Sequence, residues 1–227
     1  MTPGGTRLGA PDLPALHIVT DDAVLARPAF VTSAHTLIES GGPRVAVHLR
    51  GPQTGGGSLY RLATELVPMA RKAGTWLVVN DRVDVAMAAG ADLVHLGARS
   101  LSIADSRALL GPTARVGAST HSPSEADAAA RMGADWIFAG TVYETPTHPR
   151  RPGAGTEGLG AIVTAAPWVP VLAIGGVTPG RIPEILQAGA IGAAVIRGVW
   201  NATRPVEALY EYLDALAVGA GGDSGDT

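Results

Sequence analysis

Two short apolar runs late in the chain stop on glycine just where the next helical pattern begins. Val171-Leu172-Ala173-Ile174 meets Gly175-Gly176-Val177-Thr178-Pro179, and Gly192-Ala193-Ala194-Val195-Ile196 meets Arg197-Gly198. A buried strand whose C-terminal end lacks side chains offers bare backbone N–H groups, with a helix N-terminus behind them. Such a place suits an anion, and phosphate above all. Two of them in succession at one rim are the pattern of the last quarter of a phosphate-binding (β/α)8 barrel. At either place alone, an ordinary tight turn is the alternative.

The rest of the chain keeps the same rhythm. Strands are expected at Leu16–Thr20, Val45–Leu49, Trp76–Asn80, Leu93–Leu96, Arg115–Ala118, Trp136–Ala139, Val171–Ile174 and Ala193–Ile196. These runs are almost continuously apolar, as in parallel strands covered on both faces. Helical patterns fall between them at Ser58–Ala73, Val83–Ala89, Ile103–Leu110, Pro123–Met132, Pro179–Ala188 and Pro205–Leu216. Several end on glycine (Gly74, Gly90, Gly111, Gly133, Gly189), and three open with proline in the first turn. Eight βα units predict a single closed (β/α)8 TIM barrel over residues 15–217, with a flexible segment at 1–14 and a disordered tail at 218–227. No glycine fingerprint follows the first strand, which argues against a dinucleotide-binding sheet. Gly51–Gly57 reads as a flexible loop after strand two, and Thr145–Glu157 as a long loop after strand six.

Composition narrows the chemistry. The 227 residues hold no cysteine, so thiolate catalysis, thiolate metal sites and disulfides are excluded. A net charge of −3 without a basic run gives no case for nucleic acid. No apolar stretch approaches the ~20 residues of a membrane span, and a cytoplasmic location is the expectation. Lys72 is the only lysine, and it falls at the end of a helical pattern, so a Schiff-base mechanism has no residue to use.

Polar side chains collect at the expected C-terminal ends of the strands: Thr20-Asp21-Asp22, His48 and Arg50, Asn80-Asp81-Arg82, His95, Ser119-Thr120-His121, Thr141, and Thr145-Pro146-Thr147-His148. Convergence from many strands is how barrels assemble a site. Imidazole suits proton transfer near neutral pH, which singles out His121; a helix-capping role is the alternative. His48 and His95 lie within strand patterns and read as hydrogen-bonded core histidines. Asn80-Asp81 is a candidate magnesium corner, or a device for holding a loop.

Six segments stand together in order: Leu16-His17-Ile18-Val19-Thr20-Asp21, Val79-Asn80-Asp81-Arg82-Val83-Asp84, Val94-His95-Leu96-Gly97, Gly117-Ala118-Ser119-Thr120-His121-Ser122, Gly140-Thr141-Val142-Tyr143-Glu144-Thr145-Pro146-Thr147 and Ala173-Ile174-Gly175-Gly176-Val177-Thr178-Pro179. With these motifs the chain resembles the thiamine phosphate synthase family. The likeness covers residues 16–216. The resemblance implies a barrel working in thiamine biosynthesis, with one of two activities. A synthase joins a pyrimidine pyrophosphate to thiazole phosphate, using Mg2+ and basic residues to stabilise the departing pyrophosphate. A thiazole tautomerase aromatises a thiazole carboxylate phosphate, with a histidine as acid and base.

Departures from the synthase pattern then favour the tautomerase branch. Gln-Leu-Arg-x-Lys becomes His48-Leu49-Arg50-Gly51-Pro52, a metal aspartate becomes Ser100, and Thr-Pro-Thr-Lys becomes Thr145-Pro146-Thr147-His148. Two cations and a carboxylate are missing from the pyrophosphate pocket, where preorganised positive charge normally dominates. The leading expectation is therefore an isomerase: His121 relays the proton, and Gly175, Gly176 and Gly198 hold phosphate with help from Arg197. Thr145 and Thr147 close over the ring, while Ser119, Arg50 and Asn80 complete the pocket, and no metal is needed. The alternatives are an Mg2+-dependent synthase using Asp81 for the metal, with Arg50, Arg150 and Arg151 for the lost lysines, or a non-catalytic barrel that binds thiamine phosphates. The expected partners are small molecules, thiazole phosphate or thiamine phosphate, with neither nucleic acid nor membrane. A homo-oligomer is compatible with the sequence.

Overall fold

The structure, a computed structural model, describes residues 13–91, 93–145 and 153–221. Eight parallel strands close into a barrel in sequence order: β1 (Leu16–Val19), β2 (Val45–Leu49), β3 (Trp76–Asn80), β4 (Leu93–Leu96), β5 (Arg115–Thr120), β6 (Trp136–Gly140), β7 (Val171–Ile174) and β8 (Gly192–Val195). Closure comes from pairing of β1 with β8, Ile18 opposite Val195. The expected (β/α)8 architecture is present.

The alternation of side chains along each strand sorts them into two cores. Ile137 and Ala139 of β6 face the helices, whereas Trp136 and Phe138 fill the barrel interior with Val19, Ala46, Val78, Leu172 and Ala194. Two large rings fit only because their neighbours are small. A Cβ at Gly117 would collide with the Trp136 indole. At the lower end, the Arg115 guanidinium stacks 4.7 Å from the Trp76 ring.

The outer ring comprises α1 (Asp22–Leu25), α2 (Phe30–Gly41), α3 (Gly56–Ala73), α4 (Val83–Ala89), α5 (Ile103–Leu110), α6 (Pro123–Arg131), α7 (Gly155–Ala165), α8 (Ile182–Gln187), α9 (Arg197–Trp200) and α10 (Pro205–Gly221). In α3, Leu59, Ala63, Leu66, Val67 and Ala70 make the buried stripe, and Gly74 at φ 75° ends it. Ser122 caps α6 by accepting from the Glu125 amide at 3.2 Å, with Pro123 in the first turn.

Several segments differ from expectation, among them α2 and α7, which the helical patterns omit, α7 beginning at Gly155 inside the stretch expected to be a long loop. The pattern at 179–188 splits into a 3-10 turn, Pro179–Arg181, and α8, because Pro183 has no N–H to continue a helix and restricts the residue before it. The glycine-rich stretch after β2 is anchored: Asp22 Oδ1 accepts from the Gln53 amide at 3.0 Å and the Thr54 hydroxyl at 2.6 Å, and α3 starts at Gly56. Helix α10 continues to Gly221, into the stretch expected to be a disordered tail, because Gly219 packs against Leu186 of α8. Among the described residues no helix is long and apolar enough to cross a membrane.

Candidate active site

A cavity of about 710 Å³ opens at the C-terminal ends of the strands. It gathers residues from almost every strand end: Arg50, Asn80, Asp81, His95, Ser100, Ser119, His121, Thr141, Thr145, Gly175, Gly176, Arg197 and Gly198. All the residues that the sequence assigns to the pocket and that the structure describes line this cavity, whereas Thr20 and His48 stand behind its wall. Thr147, Arg150 and Arg151 fall outside the described residues.

The floor and walls are rigidly held. Thr20 clamps the Arg50 backbone, its hydroxyl accepting from the Arg50 amide at 2.8 Å and donating to the Arg50 carbonyl at 2.9 Å. Asp81 sits at φ 64°, a left-handed conformation that Asp tolerates better than most residues. Its Oδ1 accepts from the Gly97 amide at 2.8 Å and from the Ser100 hydroxyl, so one face of this carboxylate is already engaged.

The glycine turn after β7 is required by its surroundings. Gly175 and Gly176 have φ of 98° and 65°. A Cβ would stand 2.5 Å from Thr141 Cγ2 at the first and 2.8 Å from the Glu144 carbonyl oxygen at the second. Arg181 braces the turn by donating to the Gly176 carbonyl at 2.7 Å while stacking on Tyr143. Gly198 is glycine for another reason: a Cβ there would strike the Tyr212 hydroxyl, which donates to the Val177 carbonyl at 3.0 Å. Burial pushes the Tyr212 phenol up to about 12, so it remains a donor.

His121 lies on the exposed rim. Glu125 Oε2 accepts from its backbone amide at 2.7 Å and faces Nδ1 at 3.3 Å. His48 and His95 are core histidines, as read from the sequence: His48 Nδ1 lies 2.8 Å from Asn80 Oδ1, and His95 Nε2 lies 2.8 Å from Ser119 Oγ. Burial holds all three interior imidazoles, including that of His17, in the neutral form.

One residue of the cavity escaped the sequence reading. Arg99, on the loop after β4, lines the cavity close in sequence to Ser100. The signal was its position two residues after Gly97, at a strand's C-terminal end. Arg50, Arg99 and Arg197 make no ion pair or side-chain hydrogen bond among the described residues, whereas Arg82 is engaged by Asp84 at 2.8 Å. The mouth therefore carries three guanidinium groups available to an anion.

A closed parallel barrel with a large cavity at its strand C-termini defines a (β/α)8-barrel protein with its candidate site where such barrels carry theirs. More narrowly, the chain belongs to the thiamine monophosphate synthase family, whose model matches residues 16–199. It is 37% identical over 206 residues to the thiamine-phosphate synthase of Chlorobium luteolum, covering 88% of this chain and 92% of that protein. It is 45% identical over 146 residues to the thiamine biosynthesis bifunctional protein ThiM/ThiE of Symbiobacterium thermophilum, covering 64% of this chain. The chain spans only 30% of that longer protein and 46% of a synthase from Synechocystis. Among solved structures, thiamine phosphate pyrophosphorylase from Pyrococcus furiosus superposes with a TM-score of 0.77 at 32% identity, covering 91% of this chain and 96% of that one.

These relatives correct the leading functional expectation. They are named as synthases and a pyrophosphorylase, so the tautomerase reading, and with it the isomerase class, is set aside. The lysines and the aspartate of the synthase pattern are absent as read from the sequence, and the cavity holds one further cation, Arg99, that the motifs pass over.

Proposed function

We propose that this chain is a thiamine-phosphate synthase, joining hydroxymethylpyrimidine pyrophosphate to thiazole phosphate. The observation that carries the reading is the set of unengaged guanidinium groups, Arg50, Arg99 and Arg197, around one cavity beside Asp81. In this reaction the thiazole ring nitrogen forms a bond to the pyrimidine methylene carbon. The carbon–oxygen bond to pyrophosphate breaks, and the leaving group keeps the electron pair. The demand on the protein is positioning and stabilisation of that departing charge.

Roles follow from position. Arg50, fixed through Thr20, and Arg99 face the diphosphate; a guanidinium offers paired donors that match phosphate oxygens. The amides of Gly175 and Gly176, with Arg197, take the thiazole's phosphate at the opposite side, and Gly198 leaves room for Tyr212 beneath. Ser119, Thr145 and Asn80 line the space between. The new bond forms without proton removal, so His121 serves at the rim and not as an acid or base.

The donor set fits Mg2+ in one form only. Asp81 offers one free carboxylate face, and no group of three potential ligands exists among the described residues. Substrate phosphates and water would complete the shell, which is how Mg2+ is commonly held. When bound, the ion neutralises charge developing on the leaving diphosphate. Pyrophosphate release and thiamine phosphate formation, measured with both substrates and Mg2+, test the reading. Activity should vanish when either substrate is omitted or the metal is chelated. No pyrophosphate at saturating metal would refute it.

A further inference from the structure

A line of hydrogen bonds runs across the barrel interior from outside the sheet to the cavity wall. Pro14 O lies 3.0 Å from His17 Nε2, His17 Nδ1 lies 2.8 Å from His48 Nε2, and His48 Nδ1 lies 2.8 Å from the Asn80 carboxamide. His17, His48 and Asn80 come from the successive strands β1, β2 and β3. Asn80 makes no other side-chain hydrogen bond among the described residues, and it lines the cavity. The amide atom turned away from His48 therefore faces the ligand space.

Each of the three bonds needs one hydrogen, and the line can be solved from one end. A proline carbonyl only accepts, so His17 carries its hydrogen on Nε2. A neutral imidazole has a single N–H, which leaves His17 Nδ1 as an acceptor. His48 must then donate from Nε2, and its Nδ1 becomes a bare lone pair facing Asn80. An amide oxygen there would set acceptor against acceptor; the NH2 end satisfies the bond. Amide orientation is decided by such a network, since the two ends have the same shape. The other solution places a third hydrogen, and so a positive charge, on the two rings. Both are fully buried, with Phe138 ring centroids 5.2 Å from each. Burial lowers His48 to about 4 and His17 further, which disfavours the charged form. His95, 5.6 Å from His48 between ring centroids, bonds Ser119 and stands outside the line.

We infer that His17 and His48 are positioning residues that lock the Asn80 carboxamide with its oxygen toward the cavity, making this wall an acceptor for an N–H donor on the substrate ring. The orientation is independent of the reaction proposed above. The consequence for substrate binding rests on that reaction.

The test uses the full chain with nitrogen-15-labelled histidine near neutral pH. Ring nitrogen shifts should show both His17 and His48 protonated at Nε2 with Nδ1 bare. A hydrogen on His48 Nδ1, or two on either ring, overturns the inference. Two substitutions extend it. His17→Gln keeps a donor for Pro14 and an acceptor for His48, so tautomer and kinetics should stay near the parent. His17→Leu removes the acceptor and lets His48 move its hydrogen to Nδ1, turning Asn80 over. The KM for the pyrimidine substrate should then rise about tenfold while that for thiazole phosphate holds, as expected for one lost and one opposed hydrogen bond. Equal behaviour of the two variants would overturn the inference. If His17→Leu does not fold, the parent spectrum still decides. The expected tautomers without turnover would uphold the relay and refute the reaction.

Discussion

Replacing Gly176 by alanine tests the turn after β7 in both stability and binding. The residue sits at φ 65°, and its new Cβ would stand 2.8 Å from both the Glu144 carbonyl oxygen and Tyr143 Cβ. The left-handed backbone costs an alanine about 1–2 kcal/mol. Contact with the Tyr143–Glu144 segment, which is backbone as well as side chain, adds about 1–3 kcal/mol as overpacking. The sum, about 2–5 kcal/mol, corresponds to a drop in Tm of roughly 4–20 °C for a chain of this size. Gly180→Ala is the control, because a Cβ there meets nothing within 4 Å and the backbone is not left-handed. Calorimetry should separate the two variants clearly. Steady-state kinetics should show the KM for thiazole phosphate rising about tenfold in Gly176→Ala, one charged hydrogen bond's worth, with a smaller change for the pyrimidine substrate. If Gly176→Ala melts with Gly180→Ala and binds both substrates normally, the argument from this turn is wrong.

Other expectations are narrower. Arg99→Ala should lower kcat/KM about tenfold, the low end for a charged hydrogen bond because the guanidinium is exposed to solvent; an unchanged value removes Arg99 from the site. The buried histidines set an acid limit: His48 is lowered from 6.5 to about 4 in the fold, so the unfolded chain binds the proton first. The stability held above pH 6.5 is lost as pH falls toward 4, at about 1.4 kcal/mol per pH unit for each such group, readable from urea midpoints. Ser100→Asp sets a second carboxylate beside Asp81 and should cut the Mg2+ concentration for half-maximal rate several-fold, measured by metal titration. Tyr212→Phe leaves the Val177 carbonyl without its donor and should cost about 1 kcal/mol in chemical denaturation.

The barrel was legible because its signals are local and repeated. Apolar runs such as Val45–Leu49 and Trp76–Asn80 coincide with strands, and glycine caps such as Gly74 and Gly90 end helices at φ values only glycine takes readily. Boundaries failed where tertiary contact decides. Helix α10 outlasts its apolar pattern because Gly219 finds Leu186, and the loop after β2 is ordered through Asp22, a partner from another strand end. The site was legible as a set of strand ends, since Arg50, Asn80, Asp81, Ser119, His121 and the glycine turns share one cavity. Its charge was not. Motif comparison registers what is missing, such as lysine at positions 52 and 148, and passes over a guanidinium that arrives on a different loop at Arg99. The direction of the Asn80 amide was equally hidden, since it depends on a carbonyl at Pro14, far away in sequence.

The central claim is that Arg50 and Arg99, two of the guanidinium groups at this mouth, hold the diphosphate while Arg197 serves the other phosphate. Calorimetric titration of inorganic pyrophosphate with Mg2+ into the protein addresses it directly. The account predicts one site per chain, weakened about tenfold by Arg50→Ala and again by Arg99→Ala, and further by added salt. Absence of binding, or binding indifferent to both substitutions, would contradict it.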